Sequence, residues 1–507
     1  MIAATKIYIK LFTIILLATA VLSQSCKKKS RSDMGQILYQ KTHNKVFKDI
    51  TPDGLAAVFQ KVLAREKHNL AYGSFISKFY QQNNYDPVFV MDHIFNKDLN
   101  TAVTYYQNAG QHGLNPEIFK ANEIAQLVNK LNDKKGVKTP DEAYYDIAEL
   151  EILSANALLR YSNALQYGAI NPKTIYVRYY IPTPRPDTAS MAKVFQITDI
   201  KTYLDSIQPK APQYIALQKA LADGTTADGL SAEETKRLIT VNLERLRWRN
   251  VPNAHKYVRV NIPAFQLDVM EDGKSVLNMK VCVGQGRNNN NSETLMNYTD
   301  TGKVDKPNRH STPQLSSLIH SVDVNPVWNI PKSIASKEII VEAKKDRYYL
   351  ENKGINVYQD GKLVDPDDID WDNVSAADYE FKQQPGDQNS LGKIKFLFNN
   401  QSSVYLHDTP AKDAFSMSMR AISHGCVRLG DPKGLALNLF GEGPKLDLIL
   451  KDMELDKPEP TSVSLTPKVP VLITYQTAWV DDAGTLQARR DVYGLDIVLY
   501  NALATLK

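Results

Sequence analysis

From about residue 51 to residue 250 the hydrophobic positions follow a helical period. In "DEAYYDIAELEILSANALLRYSNALQYG", residues Tyr144, Ile147, Leu150, Leu153, Ala157, Tyr161 and Leu165 recur at spacings of three and four. That spacing predicts one face of a long amphipathic helix, ended by Gly168 with Pro172 close behind. Shorter helices are predicted around Leu55–Ala64, Phe75–Gln81, Leu99–Ala109 and Ile118–Leu131. "SAEETKRLITVNLERLRW" predicts another, opening on Ser231 with Glu234 three places on, the arrangement of a capping box. After Asn250 the period changes. "KYVRVNIPAFQLDVMEDGKSVLNMKVCVGQ" alternates and is rich in valine, and Asp272-Gly273 between two such runs predicts a hairpin. Strands are also expected at "LIHSVDVNP", "SSVYLHD", "KLDLIL" and "VPVLITYQTAWV", while "GRNNNNSETLMNYTDTGKVDKPNRHSTP" is polar, aperiodic and reads as a loop. The pattern is that of an α+β multidomain chain. A helical domain over 51–250 precedes a β-rich domain over 251–450 with a long polar insertion at about 288–389, and 451–507 completes the unit.

The chain of 507 residues is too long for one core, and no internal repeat divides it. Its start bears on location. "MIAATKIYIK" carries two lysines and no acid, and the run "LFTIILLATAVL" that follows is too short to span a bilayer. It suits a secretory signal over 1–25, with 26–50 as a linker. "SQSC" followed by "KKKSRSD" resembles a bacterial lipoprotein junction, which would make Cys26 the lipidated first residue of an anchored, extracytoplasmic protein; a plain secretory signal is the other reading. The formal charge of +5 includes Lys6 and Lys10 of this leader, and no basic stripe is present, so composition gives no ground for a nucleic-acid partner.

Three cysteines occur: Cys26, Cys282 and Cys426. Cys282 lies in an apolar run and reads as a small buried hydrophobe. Cys426 sits in "AISHGCVRL" among polar residues and calls for explanation as a reactive thiol. Such a thiol needs a neighbouring imidazole. His424 is two residues away and its side chain tends to point elsewhere, whereas His407, at the end of "SSVYLHD", can arrive from an adjacent strand. His407 is therefore the expected base and acid, with a backbone carbonyl near Asp408 orienting its other nitrogen and His424 as a supporting group. Gly425 permits a tight path on which the N–H groups of Gly425 and Cys426 can converge on an oxyanion. Arg428 can pair with a substrate carboxylate or be held in a structural ion pair. His407, His424 and Cys426 could also be three zinc ligands, though neither a fourth ligand nor a Cys-x-x-Cys pair is evident, and an inert thiol is the remaining reading.

"SHGCVRL", preceded by "VYLHDTP" and by "GDQNSLGKIKFLFNN", resembles the L,D-transpeptidase (YkuD-type) catalytic domain. "VNLERLRW", "VNIPAFQLDV", "VDVNPVWNIPKSIA" and "VPVLITYQTAW" resemble its long Gram-negative (YcbB-like) branch, and the stretch from "LNPEIF" to "LLRYSNALQYGAINP" resembles that branch's scaffold domain. The resemblance implies attack by Cys426 on a peptidoglycan stem peptide, release of D-Ala, a thioester, and its resolution by the side-chain amine of a second stem. By the same resemblance His407 donates and accepts protons, and Ser423, His424, Arg428, Asn325 and Trp328 line the substrate site. The insertion holding Asn325, Trp328 and Pro331 would be a lid, its aromatics otherwise serving as its own small core. No cofactor or metal is implied, carbapenems could acylate the thiol, and the location would be a Gram-negative periplasm with a lipid anchor. Two departures stand out: only "PQYIALQKALADGTTADGLSAEETKRL" separates the scaffold from the catalytic part, too short for a full wall-binding repeat, and Leu246 replaces a usual tryptophan. A cysteine peptidase or L,D-carboxypeptidase passing the acyl group to water, and a catalytically idle wall-scaffolding lipoprotein, are the alternatives.

Overall fold

The long periodic stretch forms a helix over Pro140–Tyr167, and Gly168 at φ 81° ends it. In the computed structural model, which describes residues 34–286 and 305–506, this helix lies at the centre of a helical unit. The expected signal segment 1–25, Cys26 and most of the asparagine-rich stretch lie outside the described residues. The helix is not amphipathic with one apolar face, as its heptad-like spacing suggested. From Glu151 to Leu165 all residues but Leu153 are buried, because helices pack on several sides of it, Pro52–Glu66 and Ala121–Asn132 among them. A helix buried all round carries polar groups that need partners. Glu151 has them: it accepts from Tyr80 Oη (2.5 Å) and from the N–H groups of Phe89 and Val90 at the start of the helix Val88–His93. The predicted helix 118–131 is broken by Lys120 at φ 54°, which separates a short 3₁₀ turn, Pro116–Phe119, from Ala121–Asn132. Within the expected linker 26–50, Met34–Thr42 is helical and buries Met34 and Leu38.

This unit takes the chain to Ala169 and Arg185–Pro209; a second comprises Ile170–Pro184 and Lys210–Thr505. The second unit includes the helix Ala232–Arg247, whose Ser231 and Glu234 form the expected capping box. Its main sheet is built from β1 (Tyr179–Tyr180), β2 (Lys256–Asn261), β3 (Gln266–Glu271), β4 (Lys274–Gly284) and β5 (Gln314–Val324). It continues with β10 (Ile394–Phe398), β11 (Leu406–His407), β12 (Ala421–Ser423), β13 (Val427–Leu429) and β14 (Thr461–Thr474). The order is β1-β5-β10-β11-β13-β4-β3-β2-β14, with β12 beside β4, and β14 also pairs with β5, so the strands from β5 round to β14 close into a ring. Closure leaves one buried interior, where Val260, Leu267, Val281 and Ile319 are fully covered. The predicted hairpin over Asp272-Gly273 is β3–β4. "KLDLIL" is helical rather than a strand: Pro444 opens the helix Pro444–Met453, and Leu446, Ile449 and Met453 fall on one buried face.

The expected insertion at about 288–389 is too wide, because β5 within it belongs to the main sheet; the inserted subdomain follows β5 and holds a four-stranded sheet in the order β6 (Trp328–Ile330), β9 (Glu380–Gln383), β7 (Ile355–Gln359), β8 (Lys362–Val364). It has a core of its own, with Ile330, Leu350, Val357 and Phe381 buried and Trp328, Trp371 and Tyr379 packed against them. No helix among the described residues is long and apolar enough to cross a membrane.

Candidate active site

The site is set by one strand pairing. β11 lies parallel to β13 with Leu406 opposite Val427 and His407 opposite Arg428, and the Val427 N–H donates to the Tyr405 carbonyl at 3.1 Å. Side chains alternate along a strand and paired residues share a face. Leu406 and Val427 therefore point to the interior, where both are fully buried, and Tyr405, His407, Cys426 and Arg428 share the opposite face. His407 is thus the diagonal neighbour of the Cys426 thiol. On β10, Lys395 is opposite His407 and forms an ion pair with Asp323 at 3.0 Å.

His407 is buried, and its Nδ1 lies 2.5 Å from the Asp408 carbonyl. A carbonyl only accepts, so Nδ1 carries a hydrogen and Nε2 holds a lone pair. Burial first, and the Arg428 charge second, push the imidazole down to about 4, so it is neutral at pH 7. Burial likewise pushes the Cys426 thiol up to about 11, against hydrogen bonds from Tyr405 and the nearby Arg428 and Lys395 charges. Tyr405 contacts the thiol through both its backbone and its phenol. Burial raises that phenol far above its ordinary value, so it stays a donor, and it is hydrogen-bonded in turn to Trp328 of the insertion. At rest the pair is a neutral thiol beside a neutral imidazole. Alkylation of Cys426 by iodoacetamide should then keep rising, about tenfold per pH unit, from pH 7 to pH 10. A plateau by pH 8 would instead reveal a preformed thiolate–imidazolium pair.

The turn carrying the thiol is tightly bonded. Ser423 Oγ donates to the Cys426 carbonyl at 2.6 Å and accepts the Gly425 N–H at 3.1 Å. Two expectations change here. The Gly425 N–H is committed to Ser423 and does not face an oxyanion, which leaves the Cys426 N–H as the donor of that pair. Ser423, buried and with its hydroxyl engaged, holds the turn and is not a substrate contact. Gly425 sits at φ 122°, where a side chain is strained even though an added Cβ would meet only the His310 carbonyl at 3.5 Å and Val404 at 3.8 Å. Gly425→Ala should therefore cost about 1–3 kcal/mol through the backbone and displace the thiol. The check is a thermal melt together with the alkylation rate; an unchanged melt would show that the turn tolerates a side chain.

The other expected residues fall in different places. His424 Nε2 lies 2.6 Å from Glu338 Oε1 of the insertion, and its ring is 4.5 Å from that of His310. Arg428 is half-buried on the thiol's face, and among the described residues no carboxylate forms an ion pair with it. Asn325 is buried with Nδ2 donating to the Asp452 carbonyl at 2.8 Å, which makes it a support for the insertion's root, not a substrate contact. Trp328 reaches the site through Tyr405. Cys282 is fully buried. Among the described residues no group of three or more His, Cys, Asp or Glu is placed to hold a metal ion.

Sequence reasoning missed Tyr405, Glu338 and His310. The first was within reach, since it stands two places before His407 on the same strand and must share its face. The others are brought in by the insertion and by the segment before β5, and no local pattern marks them.

A closed β-sheet domain with a cysteine and a histidine side by side on one face, at the foot of an inserted subdomain, defines a cysteine acyl-transfer centre. Residues 255–440 match the L,D-transpeptidase catalytic domain (YkuD), and residues 74–221 match the family called Scaffold domain. The chain therefore joins an L,D-transpeptidase (YkuD) catalytic domain to an N-terminal scaffold domain. It is 30% identical over 260 residues to a Haemophilus influenzae protein assigned as an L,D-transpeptidase, covering 51% of this chain and 48% of that protein. The matched part thus spans about half the length of that relative. Among solved structures, an L,D-transpeptidase from Mycobacterium smegmatis is similar at 14% identity, with 44% of this chain and 59% of that chain covered and a TM-score of 0.20. The Ldtfm-avibactam carbamoyl enzyme is similar at 11% identity, with 44% and 49% covered and a TM-score of 0.18. Scores this low say nothing further about the fold.

Proposed function

We propose that the protein cross-links peptidoglycan by L,D-transpeptidation through Cys426. The observation that carries this reading is the placement of Cys426 and His407 on one face of adjacent strands inside the matched catalytic domain. The sulfur of Cys426 attacks the carbonyl carbon between the third and fourth residues of a donor stem, and the thiol proton passes to His407 Nε2. Since the resting thiol stands near 11 and the imidazole near 4, that transfer accompanies the S–C bond and does not precede it. The oxyanion is met by the Cys426 N–H and the Tyr405 phenol. Collapse breaks the C–N bond, His407 returns the proton to the departing D-Ala amine, and a thioester remains. The side-chain amine of a diamino acid on a second stem attacks the thioester, its proton goes to Nε2, and the restored thiol closes the cycle. Arg428 would meet a stem carboxylate, His424 supports the cleft from its contact with Glu338, and Trp328 belongs to a lid formed by the insertion. Carbapenems would acylate the same thiol. The reading places the enzyme in a Gram-negative envelope, held by lipid on Cys26.

The test is the intact mass of the protein, without residues 1–25, after brief exposure to a tetrapeptide stem. An adduct of the tripeptide acyl group on the Cys426 peptide supports the reading. Turnover of stems with no dependence on Cys426 would contradict it.

A further inference from the structure

The remaining oxyanion donor, the Cys426 N–H, has its direction fixed by a different residue. It shares a planar peptide with the Gly425 carbonyl, and in a trans peptide the two point in opposite directions. At φ 122° Gly425 lies where glycine alone is at ease, and glycine also readily adopts other backbone angles; Ser423 bonds the groups on either side of this peptide but does not hold the peptide's own carbonyl. Thr312 does. Its hydroxyl donates to the Gly425 carbonyl at 2.8 Å and accepts the Gly284 N–H at 2.8 Å. Because the Gly284 N–H can only donate, the single hydrogen of Thr312 is committed to Gly425.

Thr312 is itself held. It is 2% exposed, and its N–H donates to Tyr493 Oη at 3.1 Å, while that phenol donates to the Gly284 carbonyl at 2.8 Å. The approach is close enough to demand glycine at 284, where an added Cβ would lie 1.9 Å from the His310 carbonyl and 3.0 Å from the Gly425 Cα. We propose that Thr312 is a positioning residue for catalysis: by drawing the Gly425 carbonyl into the interior it turns the Cys426 N–H outward, toward the place where an oxyanion forms. This rests on acyl transfer at Cys426, and not on stem peptides being the acyl donor. A Thr312 without its hydroxyl leaves the carbonyl unpartnered and the peptide free to turn, which switches off the donor and leaves the thiol.

Two reagents separate these effects. Iodoacetamide alkylates the thiolate without an oxyanion, whereas p-nitrophenyl acetate acylates it through one. Both rates are read by mass at the Cys426 peptide for the full mature chain, Thr312→Val and Thr312→Ser. Valine should slow acylation by roughly 10- to 100-fold while alkylation stays within about threefold, and serine, which keeps the hydroxyl, should recover most of the acylation rate. Acylation unchanged in the valine variant, or both rates falling together in folded protein, would overturn the proposal. If valine prevents folding, the ratio of the two rates in Thr312→Ala decides in the same way. A wild type that is alkylated but never acylated by the ester would also overturn it, by removing the oxyanion premise. A wild type that takes the ester but leaves stem peptides untouched would refute the proposed substrate and still leave the ratio to test Thr312.

Discussion

Cys426→Ala abolishes acyl transfer, by at least about 10⁴-fold, while the protein keeps its fold and melts within about 2 °C of the wild type. The size of the loss follows from chemistry: Cys282, opposite Arg428 on the neighbouring strand, is fully buried, and the Ser423 hydroxyl is bonded on both sides, so neither can form the covalent intermediate in place of Cys426. The small effect on stability follows from the size of the change, one sulfur atom on a residue that is half-buried. The measurement is release of D-Ala from a tetrapeptide stem beside a melting curve. Residual release above a thousandth of the wild-type rate would mean that a different group is the nucleophile.

His407→Ala should lower acylation at pH 7 by about 10²- to 10⁴-fold. The pH dependence identifies the reason. Without a base, the reaction relies on the small thiolate fraction of a thiol standing near 11, so the residual rate should climb about tenfold per pH unit up to pH 10. The wild type, whose imidazole is neutral above about 4, should be nearly flat from pH 6 to pH 9. Removing a neutral buried imidazole also removes a linkage: burial lowers its folded value below the unfolded 6.5, so wild-type stability falls as pH drops from 6.5 toward 4. That part of the acid sensitivity should be missing in the variant. His424→Ala, which removes the contacts with Glu338 and with the His310 ring but leaves the thiol and its base in place, should cost less than about tenfold. The reverse order of the two histidine variants would mean that the base has been misassigned.

Much of this was legible in the chain because the signals were local. The capping box at Ser231 and Glu234, the Asp272-Gly273 hairpin and the glycine that stops the central helix each rest on residues next to one another. His407 was legible because strands impose adjacency: a histidine at a strand end, 19 residues before a cysteine in a turn, is brought beside it by parallel pairing. What failed depended on tertiary context. "KLDLIL" alternates well enough for a strand, and only Pro444 at its head and the spacing of Leu446, Ile449 and Met453 favour a helix. The central helix looked one-sided because its polar positions are satisfied internally, as Glu151 is by Tyr80 and two backbone N–H groups. Gly425 was assigned to the oxyanion on loop geometry alone. The structure gives its N–H to Ser423 and its carbonyl to Thr312, a residue 113 places away that no spacing rule connects to the thiol.

The measurement that bears most directly on the account is the mass of products formed from purified tetrapeptide muropeptides by the mature protein, beside a Cys426→Ala control. The account predicts a dimer equal to two tetrapeptide units minus one D-Ala, with free D-Ala released, and neither product in the control. Tripeptide monomer with no dimer would contradict transpeptidation and make the protein a hydrolase of the same bond. The same dimer in the control would remove Cys426 from the reaction altogether.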